Sequence, residues 1–217
     1  MTLFNFFLII HILGGSIGLL AGSVILFLKK GDARHKMIGR FFYWGMILAG
    51  VSSLILSQIR PNPFLFIIGV FTLYMNLTGN IYLKFKKKDV TASLFDKVIV
   101  LAMVVVAAMF VYQGLNMVSE SNFGYVYLTF AFVSIRFIYA DYKFYKGQLD
   151  HTNNWLQAHL QRMLGTYIAA MTAFLVVNVK FLPDYIVWLF PTVVITPLII
   201  FWSKKYKKDL PIVSKAV

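Results

Sequence analysis

Apolar residues gather in seven long blocks, at about 4–28, 37–59, 63–83, 98–118, 123–142, 157–179 and 184–203, with short polar stretches between them. Each block holds the roughly 20 helical residues that span a hydrocarbon layer about 30 Å thick. The pattern predicts an all-α, polytopic transmembrane bundle of about seven helices, with residues 1–217 forming a single transmembrane domain. The longest polar connections, about 14 residues, are too short to bury a soluble core. Arg60-Pro61-Asn62-Pro63 reads as a tight turn, since its prolines forbid a continuous helix. Pro191 and Pro197, flanked by Thr192 and Thr196, predict a kink in the last helix.

Charge gives these helices a direction. Lys29, Lys30, Arg34, Lys36 and Arg40 follow the first block. Lys84, Lys86, Lys87, Lys88 and Lys97 follow the third, Lys143, Lys146 and Arg162 the fifth, and Lys204, Lys205, Lys207, Lys208 and Lys215 the seventh. These eighteen face two, Arg60 and Lys180, on the alternate connections. By the positive-inside rule the N-terminus lies outside and the C-terminus in the cytoplasm, and the expected location is a bacterial cytoplasmic membrane. Met1 to Ile10 lacks a basic n-region and the first apolar run ends in lysines, so that run reads as a retained helix rather than a signal peptide.

Composition narrows the chemistry. Hydrophobic residues make up 59% and charged residues 13% of the 217, about half the charged share of a soluble domain. The net charge of +13 is a topology signal here, with the lipid bilayer and anionic headgroups as expected partners and no nucleic acid. The absence of cysteine excludes disulfides, thiolate zinc, iron–sulfur clusters and covalently attached haem. Trp44, Trp155, Trp188 and Trp202 fall near block ends, where amphipathic rings favour the interface.

Ionisable residues inside a membrane are costly and so mark candidate sites. His11, Gly15, Gly18 and Gly22 share one helical face at i, i+4, i+7 and i+11, predicting close packing against another helix. Gln113, Asn116 and Asn178 are the expected polar neighbours of His11. At the basic side, His35 and His159 each precede a similar hexapeptide, Lys36-Met37-Ile38-Gly39-Arg40-Phe41 and Arg162-Met163-Leu164-Gly165-Thr166-Tyr167. Convergence of the two rings, with Gly39 and Gly165 allowing close approach, would suit a transition metal or haem iron. The cofactor-binding candidates are therefore His35, His159 and Arg136, and the metal candidates His35, His159 and Asp141. Asp32, Asp150 and His151 stand at the same face. His11 and Asn178 are the remaining polar intramembrane candidates, and Asn76 and Asn80 are placed to bond between helices. The N-termini of the second, fourth and sixth helices offer free N–H groups to phosphate or carboxylate.

The pattern His11, Gly14, Lys30, Gly31, His35, Lys36, Gly39, Arg40, Tyr43, together with Trp155 to Phe174 and Trp188 to Thr192, resembles a family of predicted bacterial multi-pass membrane proteins of unknown function. The resemblance runs over nearly the whole chain and implies the same architecture, but no reaction. A looser likeness is to membrane b-type cytochromes.

Three functions remain open. One is a metal- or haem-dependent membrane oxidoreductase or other enzyme using His35 and His159. Another is a transporter or small-molecule or lipid-binding protein, with His11 and the proline-broken last helix lining a cavity. The third is an assembly protein without a ligand. Against proton-coupled transport stands the lack of a carboxylate clearly within a block.

Overall fold

A computed structural model of the protein describes residues 2–87, 90–148 and 151–208, with backbone alone at 151–153, 184, 185, 207 and 208. Among them seven α-helices run α1 (Leu3–Phe27), α2 (Ala33–Ile59), α3 (Pro63–Ile81), α4 (Leu94–Met117), α5 (Phe123–Tyr145), α6 (His151–Asn178) and α7 (Asp184–Lys208). All seven contain stretches long and apolar enough to cross a membrane, and the chain is an integral membrane protein. Lys88, Asp150 and Lys215 lie outside the described residues.

At the basic ends the helices extend past the apolar blocks. α2 begins at Ala33 rather than 37, α4 at Leu94 rather than 98, and α5 runs to Tyr145 rather than 142. Hydropathy marks where apolar side chains stop, whereas a helix stops where its backbone is capped. Asp32 accepts from the backbone N–H of His35 at 2.7 Å. Ser93 and Asp96 close a reciprocal capping box on α4. One first-turn N–H of α2 thus meets the Asp32 carboxylate and one of α4 the Ser93 hydroxyl, while the Asp96 carboxylate accepts from the Ser93 N–H. Both Pro191 and Pro197 lie within α7.

The bundle is organised around α3, which contacts α2, α4, α5 and α6. It is apolar and buried on nearly every side, from Ile67 through Phe71, Tyr74 and Met75 to Ile81, as expected of a helix enclosed by others. Two kinds of packing surround it. The α1–α2 seam is built on glycine: a Cβ at Gly45 would stand 2.8 Å from both the Gly14 carbonyl oxygen and the Gly18 nitrogen. The α4–α5 hairpin instead meets α3 and α6 through large side chains, including Phe71, Met103, Phe110, Tyr127, Phe130 and Phe137.

The glycine seam differs from its expected register. Gly14, Gly18, Ala21 and Gly22 are the buried positions of α1, whereas a Cβ at Gly15 would meet nothing within 4 Å. The close approach of small residues thus follows the i, i+4 pair Gly14 and Gly18. On α2–α3, Tyr43 joins both asparagines: Asn76 Nδ2 donates to its carbonyl at 2.9 Å, and its hydroxyl bonds the Asn80 side chain.

Contacts between helix ends collect the C-termini of α1, α3, α5 and α7 with the N-termini of α2, α4 and α6. That end carries the basic connections. Lys30 folds back there, donating to the carbonyls of Ile25 (2.6 Å), Leu26 (3.1 Å) and Leu28 (3.2 Å). Its ammonium sits 4.0 Å from the Trp202 ring centre. Burial there lowers its pKa below the ordinary lysine value.

Candidate functional site

The polar centre of the bundle forms where α3, α5 and α6 meet near the basic end. Asp141, the penultimate residue of the fifth apolar block, stands one turn inside the end of the membrane-spanning helix α5, and its side chain is fully buried. This corrects the expectation that the apolar spans hold no carboxylate. A buried carboxylate is tolerable only when its charge and lone pairs are met. Arg162 Nη2 donates to Oδ1 at 2.6 Å and to the Phe137 carbonyl at 3.1 Å. The Tyr82 hydroxyl donates to Oδ1 and the Tyr74 hydroxyl to Oδ2. One carboxylate therefore ties three helices together with three charge-assisted hydrogen bonds.

Aromatic rings wall the guanidinium. Arg162 lies 3.9 Å from the Phe137 ring centre and 5.1 Å from that of Tyr74, and the residue is 2% exposed. The flat, weakly hydrated guanidinium suits this stacked setting in a way that a lysine ammonium does not. Its second terminal nitrogen, Nη1, is buried with no hydrogen-bond partner. So is the hydroxyl of Tyr145, whose ring stacks on Tyr82 with centroids 6.5 Å apart. Two donors thus surround the saturated carboxylate without acceptors of their own. A donor left so in a low-dielectric interior is costly.

The histidines occupy two levels. His159, one turn before Arg162 on α6, contacts the Gly79 carbonyl through Nδ1 at 2.8 Å. A carbonyl only accepts, so Nδ1 carries the proton and Nε2 keeps its lone pair. His35 is half-buried with Nδ1 unpartnered, and the two rings are near enough to interact electrostatically. Asp141 does not join them: among the described residues no group of three His, Asp or Glu side chains is arranged to hold a metal. The two hexapeptides also diverge. Arg162 is buried, whereas Lys36 is exposed. A Cβ at Gly165 would meet Met75 Sδ at 2.7 Å, but one at Gly39 would meet nothing.

His11 finds its partners on α2, not among Gln113, Asn116 and Asn178. Its Nδ1 contacts the Ala49 carbonyl at 2.9 Å and Ser52 Oγ at 3.3 Å, beside the glycine seam that brings α2 within reach. Asn178 is exposed and donates to the Phe174 carbonyl of its own helix at 2.8 Å. Arg136 is exposed on α5, where a long side chain reaches the headgroup level, and the guanidinium beside Asp141 belongs to Arg162 instead.

Sequence reasoning missed Tyr74, Tyr82, Tyr145 and Arg162 as site residues. A signal for Arg162 was present: it is one turn from both His159 and Thr166 and two turns from Ala169, a polar and small stripe that lipid does not favour. No comparable signal marked the tyrosines, since tyrosine near a helix end fits an interfacial belt equally well. Comparison of the chain with protein-family models, with curated proteins and with solved structures finds no match.

Proposed function

We propose that this protein is a binding protein of the cytoplasmic membrane. Its ligand is a small molecule or lipid headgroup that presents hydrogen-bond acceptor oxygens to Arg162 and Tyr145 at the cytoplasmic end. The observation that carries this reading is Arg162 Nη1, a guanidinium nitrogen buried without an acceptor although the other terminal nitrogen is paired with Asp141. Buried donors are ordinarily paired, and an orphan beside a saturated ion pair is best accounted for by a partner that comes and goes. The orientation, basic end inward, follows the charge asymmetry. Kinship with the multi-pass family that the chain resembles is part of the same proposal.

The test is mass spectrometry of molecules that co-purify with the protein in mild detergent. A discrete species retained by wild type and depleted in Tyr145→Phe and Arg162→Lys is the expected result. A protein that carries nothing, or carries the same species in both variants, contradicts the reading.

One observation favours a second reading, metal or haem binding at His159. Its Nδ1–H is held by the Gly79 carbonyl, the outer-sphere bond that orients ligating imidazoles and leaves Nε2 to the ion. An absorption spectrum and metal analysis decide it: a haem band or stoichiometric metal, lost in His159→Ala, supports it, and their absence from wild type removes it.

A further inference from the structure

Two histidines and a methionine gather around the last turn of α3 at the basic end. His159 gives its Nδ1 proton to the Gly79 carbonyl at 2.8 Å, so Nε2 keeps its lone pair. Met163, one turn further along α6, lies against the same glycine: a Cβ at Gly79 would stand 2.8 Å from its Sδ. His35 approaches from α2, where it shares a stripe with Gly39 and Tyr43 at i, i+4 and i+8. Tyr43 turns that stripe toward α3, since its carbonyl accepts from Asn76 and its hydroxyl bonds Asn80, the neighbour of Gly79. Gly39 leaves open space on the stripe, and His35 Nδ1, one turn away, is buried without a partner. The two imidazoles are near enough to interact electrostatically.

The donor types select the ion. Thioether sulfur is soft and selects Cu(I), and imidazole suits copper as well. All three donors are neutral, and the Asp141 carboxylate is taken up by Arg162, Tyr74 and Tyr82. A divalent ion would therefore bring two charges into a partly buried place with little to offset them, which is heavily penalised. A single charge is opposed by the Asp32 carboxylate, which accepts from the His35 backbone N–H at 2.7 Å. Resting on the His159 reading above, we propose that His35 Nδ1, His159 Nε2 and Met163 Sδ form a binding site for a soft monovalent metal ion, Cu(I).

The test titrates the full-length protein in detergent with Cu(I), kept reduced by ascorbate and contested by a chromophoric Cu(I) chelator, and separately with Zn(II). Wild type is expected to prefer Cu(I), and X-ray absorption at the copper edge to show both nitrogen and sulfur scatterers. Met163→Leu, which conserves volume, weakens Cu(I) about tenfold or more, one decade in Kd. His35→Ala weakens it to a similar degree, and His159→Ala releases it. His159→Gln, which keeps a donor for the Gly79 carbonyl, serves if His159→Ala does not fold. Met37→Leu, at an exposed methionine of α2, leaves binding unchanged. Copper without a sulfur scatterer, or binding untouched by Met163→Leu or by His35→Ala, overturns the three-donor site. The His159 reading survives that result only if a metal or a haem band is still lost with His159. Preference for Zn(II) overturns the choice of ion. Neither metal nor haem on wild type, or binding untouched by the His159 variants, overturns both.

Discussion

Replacing Gly45 by alanine tests the glycine seam with one methyl group. The added Cβ would lie 2.8 Å from the Gly14 carbonyl oxygen, 2.8 Å from the Gly18 nitrogen and 3.2 Å from the Gly18 Cα. All three neighbours are backbone atoms, so no rotamer change relieves the overlap and α1 must move away from α2. Overpacking of this kind costs about 1–3 kcal/mol. The helix itself gains about 0.5–1 kcal/mol when alanine replaces glycine. The expected net loss therefore lies in the range of about 0–2.5 kcal/mol, centred on about 1 kcal/mol. Separation also stretches the His11 contact with Ala49, at 2.9 Å, which belongs to the same seam. Gly15→Ala is the matched control: its Cβ meets nothing, so only the propensity gain of about 0.5–1 kcal/mol remains. Reversible unfolding in mixed micelles measures both variants, with opposite signs expected. A Gly45→Ala protein as stable as wild type, or a Gly15→Ala protein equally damaged, would refute close backbone contact as the basis of α1–α2 packing.

Asp141→Asn leaves the buried Arg162 charge uncompensated and is expected to cost about 3–5 kcal/mol. The double variant Asp141→Leu/Arg162→Met should recover part of that loss in the same unfolding assay. Full additivity of the two single losses would show that the pair is not coupled. His11→Ala removes one helix-to-helix hydrogen bond and is expected to cost about 0.5–1.5 kcal/mol, beyond the loss of packing. The comparison with His11→Gln, which keeps a donor, isolates the bond in unfolding measurements. Single cysteines at Asn62 and Lys204 should react with an impermeant thiol reagent from opposite sides of intact vesicles, Asn62 from outside. Labelling from one side only would contradict the charge-based topology.

Much of this architecture is written locally. Seven helices follow from apolar runs long enough to span a bilayer, because every backbone polar group in hydrocarbon must bond within its own segment. The alternation of basic and nearly neutral connections orders the helices, and Asp32 and Ser93-x-x-Asp96 place two helix starts that hydropathy set four residues late. Asn76 is recognisable as an interhelical donor because a primary amide in a span needs a partner.

The site was not legible in this way, because inside a membrane the same residue type has two stable placements. Arg136 and Arg162 both lie in helices near the basic end, yet one reaches outward and the other stacks on Phe137 and Tyr74. Hydropathy assigns them equal cost, and only the rotation of each helix about its axis separates them. That rotation is decided by packing: glycines draw α1 onto α2, whereas aromatic side chains fill the space between α3, α5 and α6. Gly14 rather than Gly15 meets α2 for the same reason, since adjacent helical positions point about 100° apart. Asp141 shows the remaining gap. Its carboxylate draws a tyrosine from α3, a second from the 3-10 turn that follows it and an arginine from α6, residues 67, 59 and 21 positions away. No periodicity along one helix encodes a partnership among three, so the helices were legible along the chain, and the tertiary packing decided which polar side chains meet.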